Sequence, residues 1–358
     1  MAGPPLELAL LGATGAVGRA IVEALEESDL EVARLWLLAS ERSAGEEVEF
    51  RGEPLRVEVV KEGAFAGCDL AFFAAGEAAA RRWAPEARAA GARVVDLSPA
   101  FREDPGVPLV VAGLAPPHLA GPAIGRVGEP AADTVEPLSA PLVACPSPAS
   151  AQLALALAPL RAAAGLERVA VVTLAAVSGA GKEAVAELEA ELRAMLAFQE
   201  PPASTALPHR VAFNAVPQVG PFAEGGATDE ERRTTSELRR LLGEPELPVS
   251  AAAAWIPVFH GHTQLVNVRT ARPLSPDAAR EALKAAPALK VLDAPGEGIY
   301  PMPMLAVNDD AVLVGRVRAD PSQERGLDLV VVGDNLRRGA ALNAIAVARQ
   351  IASRLRLS

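Results

Sequence analysis

Gly12, Gly15 and Gly18 recur every third residue in the run Gly12-Ala13-Thr14-Gly15-Ala16-Val17-Gly18, between a short apolar segment and an amphipathic one. At a strand-to-helix junction the first glycine permits a tight turn. The second lets backbone N–H groups approach a pyrophosphate, and the third lets helix and strand pack closely. Thr14, Ala16 and Val17 complete that loop. A plain tight turn is the blander reading of the same spacing, which is GxxGxxG rather than GxGxxG. The end of the next strand decides which dinucleotide is taken, because an acidic residue there holds a ribose 2′-OH. Here Ser40-Glu41-Arg42-Ser43 offers Ser40, Arg42 and Ser43 to a 2′-phosphate, with Glu41 turned away. NADP is therefore expected ahead of NAD.

The remaining chemistry-bearing residues are few. His260 and His262 alternate and would share one side of a strand, but a third ligand is not in sight, so no metal site is expected. CxxC and HExxH patterns do not occur. Cys145 could act as a nucleophile or pack as a small hydrophobe, and Cys68, just before a strand, reads as structural. Arg102 follows a strand end and could hold an anion or make a surface ion pair. The run Glu230-Glu231-Arg232-Arg233 has the look of a solvated helical face.

The elements needed to position these groups follow from hydrophobic patterning. Strands are expected at Leu6–Leu11, Ala33–Ala39, Leu70–Ala75 and Ala92–Leu97, with helices after the glycine loop and around Ala78–Ala90. That alternation implies a parallel, doubly wound sheet. Leu109–Val111 could add a strand before the Pro/Gly-rich stretch Pro116–Gly128. From about Leu142 the pattern changes. Strands at Arg168–Val177, Val249–Pro257, Gly261–Arg272, Ala311–Arg318 and Leu327–Val332 accompany helices at Lys182–Ala197 and Glu230–Leu242. Long strands grouped in this way predict a mixed or antiparallel sheet with helices on one side. A terminal helix, Ala340–Leu355, is placed to pack back on the first domain.

At 358 residues, half of them hydrophobic and 22% charged, the chain has material for about two domains with a sizeable core. Its 45 acidic against 34 basic residues, net −11, disfavour binding to nucleic acid or anionic lipid. No apolar run reaches the roughly 18 residues of a membrane helix, and MAGPPLELALL has no basic region that would mark a secretory leader. A reduced, cytoplasmic, metal-free protein is expected.

Taken in order, several motifs resemble the aspartate-β-semialdehyde dehydrogenase family over essentially the whole chain. They are GATGAVG, the ASERSAG segment, Val95-Asp96-Leu97-Ser98-Pro99-Ala100-Phe101-Arg102, Val177-Ser178-Gly179-Ala180-Gly181-Lys182, Ala212–Gln218, Pro257–His262 and Asp334–Ala341. The resemblance implies an α/β fold in two parts. One is an N-terminal Rossmann-type dinucleotide-binding domain, residues 1–142 completed by 336–358. The other is an α+β dimerisation and catalytic-type domain over 143–335. It further implies a role in amino-acid biosynthesis, an NADP cofactor, a small-molecule ligand, and assembly as a homodimer or a tetramer. Gly76, Gly179, Asn335 and Gly339 join the cofactor residues by the same resemblance. Asn335 and Gly339 would lie near the nicotinamide, although Asp334 or Asn335 could equally cap a helix.

The family reaction passes through a cysteine thioester, with a positioning glutamine, a carboxylate-binding arginine, a histidine acid/base and basic phosphate ligands. Aligned on the motifs, the cysteine falls on Pro148, the glutamine on Ala175 and the arginine on Trp255, while His262, Arg102 and Glu230 are retained and Arg233 replaces a lysine. Proline has no nucleophilic atom, and tryptophan cannot pair bidentately with a carboxylate. This pattern resembles the Usg-type branch, which lacks the standard catalytic cysteine. The expected function is a homologue with thioester chemistry lost or severely reduced. The alternative is an active NADP-dependent oxidoreductase on an acyl phosphate or aldehyde, using Cys145 or His262, with Trp255 indicating a less anionic or more apolar substrate.

Overall fold

A computed structural model describes residues 5–114 and 138–355, in two compact units. The Pro/Gly-rich stretch at 116–128 and His118 lie outside the described residues. The first unit takes in residues up to Ala112, the segment ending at Ser147, and the chain from Ala340 onward; the second spans Pro148–Gly339 with the segment that opens at Gly113.

In the first unit, strands β1 (Leu6–Leu11), β2 (Val32–Ala39), β5 (Glu58–Val59), β6 (Leu70–Phe73), β7 (Arg93–Asp96) and β8 (Leu142–Ala144) form one sheet. Its order is β5-β2-β1-β6-β7-β8, and every pairing is parallel. The order reverses between β1 and β6, the crevice where doubly wound sheets bind ligands. Alternation along β1 divides the core between the two faces of the sheet. Leu8 and Leu10 join Ile21 and Leu25 of the helix Ala16–Glu26 and Ile345 of the terminal helix, whereas Ala9 and Leu11 join Phe65, Phe73 and Ala84. The terminal helix, Leu342–Leu355, follows a π-helical segment at Arg337–Ala341. Several features depart from the sequence-based expectation, the short strands β5 and β8 among them. A small hairpin of β3 (Glu47–Phe50) and β4 (Glu53–Arg56) turns at Arg51-Gly52, both with positive φ. Leu109 contributes only an isolated bridge to Ala144, not a strand.

The second unit carries a mixed sheet, β10-β9-β11-β14-β13-β12. Its members are β9 (Leu166–Ala176), β10 (Val249–Ile256), β11 (His262–Thr270), β12 (Leu289–Val291), β13 (Val312–Ala319) and β14 (Gly326–Gly333). β10 lies parallel to β9, and β12 parallel to β13; the central pairings are antiparallel. One face is covered by the helix Pro148–Ala164, which also packs on Asp229–Leu242 and Pro276–Lys284. That helix is apolar nearly all round, as a fully buried helix must be. Val172 and Leu265 stand exposed on the opposite face, beside Ala252 and Val330. Helices on one side of a mixed sheet match the expected layering.

Candidate functional site

The glycine loop lies on the β1 side of the crevice between β1 and β6. Gly12 has φ +92°, and an added Cβ would come within 2.6 Å of the Ala74 carbonyl oxygen at the end of β6. At Gly18 a Cβ would meet the Gly12 carbonyl oxygen at 2.2 Å, so strand and helix close on each other there. Gly15 precedes the helix Ala16–Glu26, which has neither a side-chain cap nor an acidic residue in its first turn. Free N–H groups and the positive end of the helix dipole are thus left for an anion. Across the crevice Gly76 precedes the helix Glu77–Ala89, again without a side-chain cap. Thr14 is buried; Ala16 and Val17 are half-buried. Beyond β2, Ser40 and Arg42 are exposed at the 3₁₀ turn Glu41–Ser43, whereas Ser43 is buried. These features fit a dinucleotide phosphate.

The second unit holds a cavity of about 370 Å³. Its floor comes from adjacent strands: Thr173 and Ala175 on β9, Trp255 on β10 and His262 at the start of β11. Pro148 enters at the first turn of its helix, where proline's fixed φ is well accommodated. Gly179, Gln218, Glu230 and Arg233 line the walls. Thr228 caps the helix Asp229–Leu242 through a capping box with Glu231, so the acidic-basic run is divided among tasks. Glu231 also accepts from the Ala253 N–H, Arg233 pairs with Asp229 at 3.1 Å, and Glu230 lines the cavity.

His262 is buried, and its Nδ1 accepts from the Ala176 N–H at 3.1 Å. Burial pushes its pKa down to about 4, opposed by the carboxylate of Asp334. The neutral ring therefore carries its proton on Nε2, which faces Gly179, where an added Cβ would stand 3.3 Å away. His262 is thus set up as a hydrogen-bond donor at neutral pH. His260 sits in a bend before β11 rather than on it, which corrects the expected shared strand face. Among the described residues no three His, Cys, Asp or Glu side chains cluster as metal ligands.

Other expected site residues have different settings. Cys145 belongs to the core of the first unit, only 1% exposed, and burial followed by the nearby Asp96 pushes its thiol up to about 12. A thiol so held is protonated and shielded, the opposite of an activated nucleophile. Cys68 is likewise buried, its thiol raised to about 11. Arg102, also in the first unit, is buried and donates to the Leu97 carbonyl at 2.6 Å, beside Asp96. Asn335 bridges backbone and side chain: its Oδ1 accepts from the Gly261 N–H at 3.0 Å, and its Nδ2 donates to the Ser178 hydroxyl at 2.9 Å. Gly339 packs on Pro148, and Gly179 lines the cavity between His262 and Trp255. Glu230, Arg233, His262 and Gly179 therefore share one wall system with Pro148, Ala175 and Trp255.

The chain matches two family models in order. Residues 7–121 match the semialdehyde dehydrogenase NAD binding domain, and residues 157–338 match the semialdehyde dehydrogenase dimerisation domain. The chain belongs to the semialdehyde dehydrogenase family. Aspartate-semialdehyde dehydrogenase of Aquifex aeolicus is 40% identical over 342 residues, covering 95% of this chain and 96% of the relative. The Bacillus subtilis protein of the same name is 37% identical, covering 98% of each. Aspartate semialdehyde dehydrogenase II from Vibrio cholerae superposes with a TM-score of 0.89 at 33% identity, covering 98% of this chain and 99% of that one. In semialdehyde dehydrogenase terms, the parallel-sheet unit is the NAD-binding domain and the mixed-sheet unit is the dimerisation domain. Among the described residues no helix is long and apolar enough to cross a membrane. The cavity also includes Thr173, Ala206–Pro208, Gln218 and Val219-Gly220, none of which sequence reasoning singled out as a site residue. Gln218 ends the Ala212–Gln218 motif, and that position was the signal available.

Proposed function

We propose that this chain is an aspartate-semialdehyde dehydrogenase homologue that binds NADP(H) in its first unit and has lost, or retains at a severely reduced rate, thioester-forming chemistry. The observation that carries the reading is the cavity wall itself. Pro148 stands there together with His262, Glu230 and Arg233, and no cysteine is among the described residues lining it. Ala175 and Trp255 line the same cavity where the family alignment expects the positioning glutamine and the carboxylate-binding arginine. The burial and raised thiol of Cys145 weigh against a displaced nucleophile. This set of replacements supports a Usg-type relative, acting as a cytoplasmic homodimer through the dimerisation domain.

The chain's own residues can still bind and polarise. His262 Nε2–H can donate to a carbonyl oxygen, and the loop Gly12–Gly18 with Ser40 and Arg42 offers donors to cofactor phosphates. NADP(H), when bound, would supply hydride transfer. Without a sulfur to add to the aldehyde carbon, the acyl-enzyme step has no starting point. By analogy with removal of a nucleophile from a serine protease, the cost is on the order of 10⁶ in rate. The test pairs calorimetric titration with NADPH and a phosphate-dependent assay of NADP reduction by aspartate β-semialdehyde. Cofactor binding with turnover at the background level is expected. Turnover comparable to a thiol-bearing family member would overturn the reading.

A further inference from the structure

Glu187 and Glu191 stand one turn apart on the helix Lys182–Leu196, on the face it turns to the segment 204–212. Glu191 takes both ends of that segment. Its Oε1 accepts from the Ser204 hydroxyl at 3.1 Å, and its Oε2 from the Val211 and Ala212 N–H groups at 3.1 and 3.0 Å. Glu187 takes the stretch between them. Its Oε2 accepts from the Thr205 N–H at 2.6 Å, the Thr205 hydroxyl at 3.1 Å and the Ala206 N–H at 2.8 Å, and its Oε1 from the Leu207 N–H at 3.3 Å. Among the described residues, no backbone N–H of 204–212 donates to a backbone carbonyl. The segment is an arch with both feet on one carboxylate and its leading arm on the other.

The two carboxylates have different surroundings. Glu191 is 1% exposed, and Val211 and Ala212 are buried with it. The Asn214 N–H and Nδ2 tie the same foot, donating to the Val211 and Arg210 carbonyls at 2.9 Å each. Water cannot replace bonds in so enclosed a place, so breaking them leaves buried polar groups unmatched. Glu187 is half-buried, and its partners Thr205 and Ala206 are exposed. Burial by itself would raise the Glu187 carboxyl, but the Ala206 and Thr205 amides, the Thr205 hydroxyl and the Leu207 amide outweigh it and hold the carboxyl below the usual carboxylate range. Those bonds are charge-assisted, yet solvent can take over each of them. A segment without backbone bonds of its own, held at exposed positions, opens locally while the rest stays folded.

Ala206, Leu207 and Pro208 form one wall of the cavity, and Leu207 packs in an apolar cluster with Ala175 and Trp255. Those two are register partners on β9 and β10, a small side chain beside a very large one, 2% and 6% exposed. We propose that the segment 204–212 is a strap forming a movable wall of this cavity, with Glu191 as its anchor and Glu187 as its latch, and that ligands exchange when the Glu187 bonds release. Both glutamates are positioning residues that act on the cavity through Ala206, Leu207 and Pro208. This deepens the reading of the cavity as a former semialdehyde site and rests on that reading only for what passes the strap.

The test uses the full chain. Amide hydrogen exchange compares the wild type with Glu187→Ala. Separately, methyl methanethiosulfonate labels a thiol introduced by Ala175→Cys, with and without Glu187→Ala, and mass mapping distinguishes that thiol from the buried Cys68 and Cys145. Exchange at Thr205, Ala206 and Leu207 should accelerate about tenfold or more on loss of a charged acceptor, while Val211 and Ala212 change by less than about twofold. The introduced thiol should label faster by a similar factor, because both rates follow the open population. Should Glu187→Ala fail to fold, Glu187→Gln keeps one acceptor oxygen and carries the same comparison with a severalfold change. Equal acceleration at all of these amides, as a purely structural tie would give, or an unchanged labelling rate, would overturn the proposal. Turnover enters neither readout, so discovery of catalysis would sink the silenced-site reading and leave the strap separately decided.

Discussion

His262 offers the sharpest quantitative test, because its role depends on which proton it carries. Burial lowers its pKa from 6.5 to about 4. At pH 7 the protonated fraction is then on the order of 10⁻³, and the ring works as a neutral donor. The lowered pKa also bears on stability. Between pH 6.5 and 4 the unfolded chain binds a proton that the folded chain refuses, so stability from this group is complete above pH 6.5 and is lost as pH falls toward 4. The loss over that window is about 3 kcal/mol, at roughly 1.4 kcal/mol for each tenfold difference in proton affinity between the folded and unfolded chain. Asp96 acts with the opposite sign. Burial raises its carboxyl to about 6, so its stabilising contribution is greatest at low pH and is lost as pH rises through 6. The wild-type profile is therefore flattened, and the difference between wild type and His262→Gln isolates the imidazole. Urea unfolding of both proteins across pH 4–7, with NMR titration of the His262 Cε1 resonance, makes the measurement. A native-state titration near 6.5, together with a pH-independent difference in stability, would refute the argument.

Three further outcomes follow from packing and burial. Both thiols should resist a disulfide exchange reagent in the native protein and react fully after denaturation, since Cys68 and Cys145 are raised to about 11 and 12; rapid native labelling of Cys145 would contradict its placement in the core. Gly12→Ala should lower stability by about 2 kcal/mol or more and weaken NADPH binding, because it adds a Cβ 2.6 Å from the Ala74 oxygen at φ +92°. Thermal melts and calorimetry report the two effects separately. Gly339→Ala places a methyl 2.6 Å from Pro148 Cβ and should cost about 1–3 kcal/mol, read by urea unfolding; an unchanged midpoint would show that the contact is slack.

Much of the architecture was legible where one physical signal dominated. β1 reads directly from Leu6–Leu11 because a glycine turn ends it, and β9 and β11 fall within two residues of expectation because their burial alternates. The helix Pro148–Ala164 is invisible to patterning for the opposite reason. Buried on all sides and holding Pro159, it has no amphipathic period. The helix Pro276–Lys284 is hidden in alanine-rich sequence, although Ser275 caps it and Pro276 opens it. The β3–β4 hairpin hangs on a left-handed conformation at Arg51, a residue type that does not announce one. In the site, the motifs carried His262, Glu230 and Arg233 into one cavity, but the neutral state of the histidine comes from its burial and its tautomer from a backbone contact with Ala176, neither of which spacing can show. The size complementarity of Ala175 and Trp255 likewise depends on strand register.

Incubation of the full chain with aspartate β-semialdehyde, NADP and phosphate, quenched in acid and read by intact-protein mass spectrometry, tests the central claim directly. A chain whose cavity presents Pro148 in place of a thiol should return its unmodified mass throughout. An acyl adduct that maps to Cys145 or to any lining residue of the cavity would contradict it.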